Sequence, residues 1–279
     1  MTLFASFPSP SVNGIELGPL DLRAYGVLIA TGVLVAWTLT RRRYEQMGGD
    51  PDLADLVALR AVVLGFVGAR LAYVSTHLDR FAGDDWWRVI AIWEGGLALF
   101  GGLTLGTVAA IVVLRRHGGD VAAFADAAAV GVPLAQAIGR WGNYFNQELF
   151  GTPTTLPWAV EIAPAFRPEQ YAQFATFHPT FLYESLWNLL LAGALLLVER
   201  RGSLRRGTLF TLYLAGYGLM RFLLELIRTD TTFRLLGLSR NGWVSLVVVV
   251  AAVSFAVVRE RRTDDEPTGT AEAEATTNA

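Results

Sequence analysis

The stretch that decides the fold class is residues 95–114, GGLALFGGLTLGTVAAIVVL, which has twenty residues and no charge. A helix that crosses the hydrocarbon core of a bilayer needs about 20 mostly apolar residues. Six other stretches are of similar character: residues 20–40, 56–74, 121–138, 180–198, 208–227 and 242–258. The sequence therefore predicts an all-α integral membrane protein, a bundle of about seven transmembrane helices.

The composition excludes several classes of function. The 279 residues are 53% hydrophobic and only 17% charged, whereas soluble domains have about 25% charged residues. The absence of cysteine excludes disulfides, thiolate metal sites and a cysteine nucleophile. All 23 basic residues are arginine, so a Schiff-base lysine and a P-loop lysine are excluded as well. The net charge of −2 argues against a nucleic-acid partner.

The arginines also predict the orientation of the chain in the membrane. Twelve of them follow the first, third, fifth and seventh apolar stretches, at residues 41–43, 115–116, 200–206 and 259–262. The opposite loops contain five, namely Arg80, Arg88, Arg167, Arg234 and Arg240. Because positively charged loops stay in the cytoplasm, we expect the N-terminus outside and the C-terminus in the cytoplasm.

The same topology predicts the domain organisation. Residues 1–262 form the membrane-embedded domain, and residues 141–179 are its longest outside segment, which we expect to form a small extracytoplasmic cap. Residues 263–279 contain five acidic residues, no basic ones and no apolar periodicity. Such a composition is typical of a disordered segment, so we predict a disordered acidic cytoplasmic tail.

Six arginines lie in or beside apolar stretches, where a charge is costly: Arg23, Arg60, Arg70, Arg140, Arg221 and Arg228. In the sixth stretch a polar stripe follows from the helical period, since Tyr217, Arg221, Glu225 and Arg228 fall at about 0°, 40°, 80° and 20°. One interpretation is an internal Arg–Glu pair that fixes helix packing. The other is an anion site, because two arginines outnumber one glutamate.

A second polar group lies at residues 139–151, GRWGNYFNQELFG. Its polar side chains share no single helical face: Arg140, Asn143, Asn146 and Glu148. The three glycines of the stretch allow the backbone to bend, and polar side chains on irregular backbone at the membrane edge require protein or water around them. The pattern is explained by a ligand mouth or by a plain loop.

Three further positions allow both a structural and a functional interpretation. Arg70, near the outer end of the second stretch, either extends its charge to the interface or binds a ligand. Gly101 and Gly102 indicate close helix packing or a backbone that approaches a lipid headgroup. No histidine has a second one at metal-ligand spacing, so no metal site is predicted. Buried arginines among apolar helices suit a phospholipid or another amphiphilic anion.

Residues 139–151 resemble the signature of the bacterial prolipoprotein diacylglyceryl transferases. Further motifs occur in the order of that family: RAYG at 23–26, GARLAY at 68–73, WEGG at 93–96, HPTFLYES at 178–185 and YGLMRFLLELIR at 217–228. The resemblance implies a seven-helix enzyme of the bacterial cytoplasmic membrane. Its reaction transfers the diacylglyceryl group of phosphatidylglycerol to the lipobox cysteine of a preprolipoprotein and releases glycerol 1-phosphate, with no cofactor.

The resemblance also implies roles for individual residues. Arg140 and Arg221 are expected to hold the phosphate, and with Glu148 and Tyr25 they form the predicted catalytic set. The predicted phosphatidylglycerol-binding residues are Arg140, Asn143, Asn146, Arg221, Glu225, Tyr217, Arg70, Gly101 and Gly102. Many relatives have a histidine before the Gly-Gly of the third helix, and here it is Phe100. Glu148, Tyr25 or an arginine-bound water is then the expected base, and a catalytically altered paralogue that binds phospholipid or lipoprotein precursor is the alternative.

Overall fold

The computed structural model describes residues 6–17, 20–81, 86–202, 204–228 and 234–264. The described residues form seven α-helices: α1 (Ala24–Gln46), α2 (Pro51–Thr76), α3 (Leu99–Arg116), α4 (Val121–Asn146), α5 (Thr180–Arg201), α6 (Thr208–Glu225) and α7 (Arg240–Asp264). Six of these are long and apolar enough to cross a membrane, and α6 is not among the six. The predicted all-α, multi-pass membrane architecture is thereby confirmed. The predicted tail of residues 263–279 begins too early, because α7 continues to Asp264, and its remaining residues lie outside the described part of the chain.

Short strands and 3₁₀ helices lie between the helices. Three two-stranded antiparallel sheets are formed by β1 (Gly14–Leu17) with β2 (Leu20–Arg23), β3 (Val160–Glu161) with β4 (Thr176–Phe177), and β5 (Arg234–Leu235) with β6 (Leu238–Ser239). The first sheet corrects one predicted boundary, because residues 20–23 were expected inside the first helix. Their sequence, LDLR, alternates apolar and charged residues, which is the period of a strand.

The chain packs as two units, residues 37–128 and residues 1–36 together with 129–279. In the unit of residues 37–128, α2 and α3 pack with their backbones in close approach. A Cβ atom added to Gly101 would lie 2.4 Å from the carbonyl oxygen of Gly68, and one added to Gly102 would lie 3.0 Å from that of Gly65. The larger core side chains of this unit surround Tyr44, Val57 and Leu114.

In the unit of residues 1–36 and 129–279, a small substructure follows α4. Residues 147–179 contain β3, β4 and two 3₁₀ helices, and they have their own apolar core. That core consists of Phe150, Val160, Ile162 and Phe177, together with Phe181 from the first turn of α5. This substructure coincides with the segment predicted as a cap, and its location outside the cell stays a prediction.

Two predicted helix ends are wrong. We expected irregular backbone from Gly139 onward, but α4 continues to Asn146. The glycines of this turn serve close packing instead of a bend, since a Cβ atom on Gly142 would lie 2.4 Å from Cδ2 of Tyr25. Likewise, α6 ends at Glu225, and Arg228 pairs through its backbone with Gly151 in an isolated bridge. The polar stripe of α6 therefore excludes Arg228.

A substitution at Gly101 tests whether this glycine is needed for the close packing of α2 and α3. We expect Gly101→Ala to lower the free energy of unfolding by about 1–3 kcal/mol, because overpacking forces the backbones of α2 and α3 apart. Thermal unfolding in detergent measures this. The control is Gly193→Ala in α5, where an added Cβ meets nothing within 4 Å. Equal unfolding temperatures for the two variants would contradict the packing explanation.

Candidate active site

In the unit of residues 1–36 and 129–279, a short ion pair joins Arg140 of α4 to Glu184 of α5. Nη2 of Arg140 lies 2.6 Å from Oε2 of Glu184, and the exposed fractions of the two side chains are 20% and 4%. Opposite charges at this distance attract each other more strongly inside a protein than in water. Glu184 was not among the predicted site residues. The signal that marks it is a carboxylate one turn into an otherwise apolar helix.

The second guanidinium–carboxylate pair lies within α6. Nη2 of Arg221 is 3.0 Å from Oε2 of Glu225, one turn later, and both side chains are largely buried. Oγ of Ser239 donates a 2.7 Å hydrogen bond to the other carboxylate oxygen, Oε1. The internal Arg–Glu pair that the sequence allowed is therefore present. This pair does not use all the hydrogen-bond donors of Arg221, because a guanidinium has five N–H groups.

Polar contacts between α4 and α6 lie beside both arginines. Nε2 of Gln136, one turn before Arg140, donates a 3.0 Å hydrogen bond to the hydroxyl of Tyr213. The rings of Tyr213 and Tyr217 are stacked with centroids 6.1 Å apart, and Arg140 lies within electrostatic range of Tyr213. Tyr217 and Arg221 are one turn apart on α6. Tyr213 thus lies between Arg140, its electrostatic neighbour, and Tyr217, which is one turn before Arg221 on α6.

Glu148 accepts hydrogen bonds from two polar side chains at the end of α4. Its Oε1 accepts hydrogen bonds from Nδ2 of Asn143 at 2.9 Å and from Nδ2 of Asn146 at 3.1 Å. Tyr25 of α1 lies within electrostatic range of both Glu148 and Arg140. Four of the residues that the sequence selected from residues 139–151 and from α1 are therefore neighbours, and Tyr25 connects them to Arg140.

Arg70 lies in the other unit and has different partners. It is 6% exposed, and its Nε donates to the carbonyl oxygen of Val89 at 2.8 Å. Nη1 donates to the carbonyl oxygens of Gly95 at 2.6 Å and Gly96 at 3.1 Å, and Nη2 donates to that of Arg88. Most of its donors thus hold the turn that precedes α3. Its predicted contact with substrate stays a prediction.

Comparisons with known proteins agree with this arrangement. Residues 13–258 match the family model described as "Prolipoprotein diacylglyceryl transferase". The chain belongs to this family. It is 49% identical over 266 residues to the phosphatidylglycerol--prolipoprotein diacylglyceryl transferase of Frankia alni, which covers 95% of this chain and 70% of the relative. A protein with the same name from Cutibacterium acnes is 44% identical over 259 residues, covering 92% and 88%.

A third relative, phosphatidylglycerol--prolipoprotein diacylglyceryl transferase 2 of Streptomyces coelicolor, is 47% identical over 260 residues, 92% of this chain and 82% of the relative. The family resemblance seen in the sequence motifs is therefore confirmed. The matched region includes every residue that the sequence predicted for the site. The roles of the individual residues stay predictions, which the geometry above refines.

Two of the predicted residues of this transferase, Gly101 and Gly102, have a structural explanation, since both lie against the backbone of α2. Phe100, at the position where many relatives have a histidine, is 71% exposed at the start of α3. A phenyl ring accepts no proton. Close to Arg140 lie the carboxylate of Glu184, which is paired with it, and Tyr25, which is also an electrostatic neighbour of Glu148. The identity of the base stays a prediction.

The surroundings of His178 predict a pH-dependent stability. It immediately precedes α5, and its Nδ1 lies 3.2 Å from the hydroxyl of Tyr183. Burial lowers the pKa of His178 below its usual 6.5. Between the lowered pKa and 6.5 the unfolded chain binds a proton that the folded chain does not, so stability decreases as the pH falls through this window.

We therefore expect the unfolding temperature to fall when the pH is lowered from about 8 to about 5.5, and to fall less in His178→Gln. Thermal unfolding of both proteins in the same detergent measures the difference. The same acid-induced loss in the two proteins would contradict this assignment.

Proposed function

We propose that this protein transfers the diacylglyceryl group of phosphatidylglycerol to the thiol of the lipobox cysteine in preprolipoproteins. The observation that carries the proposal is the pair of arginines, Arg140 and Arg221, each fixed by a carboxylate in an apolar helical unit. Two anchored guanidinium groups suit the phosphate of a lipid headgroup, because guanidinium donors match phosphate oxygens in pairs. Family membership supplies the reaction that such a site would carry out.

The proposed reaction requires a stabilised leaving group. The cysteine sulfur forms a bond to a glycerol carbon of the lipid, the bond between this carbon and the phosphate oxygen breaks, and the thiol proton leaves. The products are a thioether and glycerol 1-phosphate. Negative charge grows on the departing phosphate, and preorganised cationic donors lower the barrier most when they act on developing charge. Arg140 and Arg221 supply these donors.

The carboxylates of Glu184 and Glu225 act on the arginines and not on the substrate. A guanidinium that is held by one carboxylate keeps other N–H groups for a second anion. Preorganisation of this type avoids reorientation during the reaction. Each arginine has its own carboxylate, which orients its remaining donors toward the phosphate. Phosphate binding therefore does not require more arginines than glutamates at the site.

The remaining proposed roles concern the glycerol headgroup and the thiol proton. Asn143, Asn146 and Glu148 form a hydrogen-bonded group that offers polar partners to the glycerol headgroup. Glu148 and Tyr25 are the proposed acceptors for the thiol proton, whose usual pKa of about 8.5 leaves only a few per cent thiolate at pH 7. The chain contains no cysteine of its own that would compete as an acceptor of the lipid group.

We also propose the bacterial cytoplasmic membrane as the location, with the N-terminus outside. The distribution of the arginines supports this orientation. The second candidate function is a catalytically altered paralogue that binds phospholipid or lipoprotein precursor, which Phe100 favours because it removes the imidazole of many relatives.

One assay separates the two candidates. Purified protein is incubated with phosphatidylglycerol and a synthetic lipobox peptide, and the peptide mass is measured. We expect a mass increase equal to one diacylglyceryl group, and no increase when the peptide cysteine is replaced by serine. Bound phosphatidylglycerol without peptide modification would support the paralogue and contradict the transferase.

A further inference from the structure

A cavity of about 390 Å³ lies in the unit of residues 37–128, between the end of α2 and the start of α3. It is lined by three arginines (Arg70, Arg80 and Arg88), by Tyr73 and Phe81, and by two glycines of the turn before α3. Among the described residues of this lining there are three guanidinium groups and no carboxylate. Its volume lies in the usual range for ligand pockets, about 300–1,000 Å³.

Arg70 provides a buried positive charge in this cavity. Its hydrogen bonds go to backbone carbonyl oxygens, and its guanidinium carbon lies 5.3 Å from the ring centroid of Phe81 and 5.8 Å from that of Tyr73. These contacts orient the guanidinium without a carboxylate in the described part of the chain. A fixed charge of this kind attracts an anion more strongly than a mobile surface arginine does.

Arg80 and Arg88 bring further donors to the same cavity. Nη1 of Arg80 donates to the hydroxyl of Tyr73 at 2.9 Å, which orients this exposed side chain. Arg88 lines the same cavity and has contacts of its own. The cavity that contains the charge of Arg70 is thus lined by two further guanidinium groups.

The surroundings of the cavity point to a lipid. Residues 77–81 and 86–98 follow the end of one membrane-spanning helix and precede the start of the next, so they lie where those helices leave the bilayer. Its short 3₁₀ helices expose large apolar side chains: Trp86 is 72% exposed, Trp87 46%, Ile90 71% and Trp93 74%. Tryptophan is enriched at the membrane–water interface, where its ring sits at the level of the headgroups.

We infer that this cavity binds the phosphate of an anionic phospholipid, with the exposed tryptophans against the adjoining lipid. The site consists of Arg70, Arg80 and Arg88 and contains neither Arg140 nor Arg221. It therefore holds a lipid in addition to the one that the proposed reaction consumes. A lipid held here fixes the segment before α3 in the interface, since Arg70 also holds the backbone of that segment.

The test uses the full-length protein with Arg221→Ala, which weakens the proposed catalytic site. Phosphatidylglycerol bound to the delipidated protein in detergent is counted by native mass spectrometry. We expect one retained lipid, and the added double substitution Arg80→Gln/Arg88→Gln should weaken its binding about 25-fold, since each interfacial arginine contributes about fivefold. Arg80→Lys/Arg88→Lys should keep most of the affinity because the charge remains.

The control variant is Arg60→Gln, which removes an exposed arginine of α2 that does not line the cavity. It should leave binding unchanged. Three results would each overturn the inference: loss of all bound lipid on Arg221→Ala alone, equal affinity for phosphatidylcholine, or equal displacement of the lipid by inorganic phosphate at the same concentration. A different result would contradict the proposed transferase activity: no modified peptide is formed by the unsubstituted protein.

Discussion

Arg221→Ala and Arg140→Ala are each expected to reduce turnover about 10²–10³-fold, the loss that follows removal of one oriented donor from developing negative charge. Both guanidinium groups are anchored by carboxylates, so their donors are in place before the phosphate begins to leave. The measurement is the rate of diacylglyceryl transfer to a lipobox peptide, followed by mass.

The controls for this prediction separate chemistry from folding. Arg60→Ala, at an exposed position of α2, should leave turnover unchanged. Arg221→Lys keeps the charge but loses the paired donors, so we expect partial activity, because lysine does not reproduce bidentate geometry. Folding of each variant is monitored by thermal unfolding in detergent. Near-normal turnover in both alanine variants would rule out the phosphate clamp.

The number and approximate limits of the helices could be predicted from the sequence, because length and hydrophobicity alone determine whether a segment can cross a bilayer. The ends of α4 and α6 could not. Gly139 and Gly142 were interpreted as bends, yet they admit Ile29 and Tyr25 against a continuous helix. The sequence alone does not distinguish a glycine that enables close packing from one that enables a bend.

Some of the side-chain pairs beside the predicted residues could be expected from the sequence, and others could not. The helical period places Arg221 and Glu225 on one face of α6, and the structure pairs them as expected. The partner of Arg140 comes from α5, forty-four positions later, and no periodicity relates two different helices. Arg70 was expected either to extend its charge to the interface or to bind a ligand. Its backbone carbonyl partners could not be predicted, because they depend on how residues 88–96 turn.

Glu184→Ala is expected to destabilise the protein by about 3–5 kcal/mol, because it leaves the guanidinium of Arg140 largely buried and without its carboxylate. The free energy of unfolding is measured in detergent. The matched control is Arg41→Ala, which breaks a 3.0 Å pair with Asp55 whose side chains are 37% and 40% exposed. Exposed pairs contribute about 0.2–1 kcal/mol, so the control should be several-fold less destabilised.

The double variant Arg140→Met/Glu184→Leu then separates stability from catalysis. Replacing both members of a buried ion pair with apolar residues is often neutral or stabilising, so we expect the stability lost in Glu184→Ala to return. Turnover should not return, because no guanidinium remains at position 140 to stabilise the leaving phosphate. Recovered turnover would contradict the role of Arg140. A double variant as unstable as Glu184→Ala would show that the shapes of these side chains, and not their charges, hold α4 against α5.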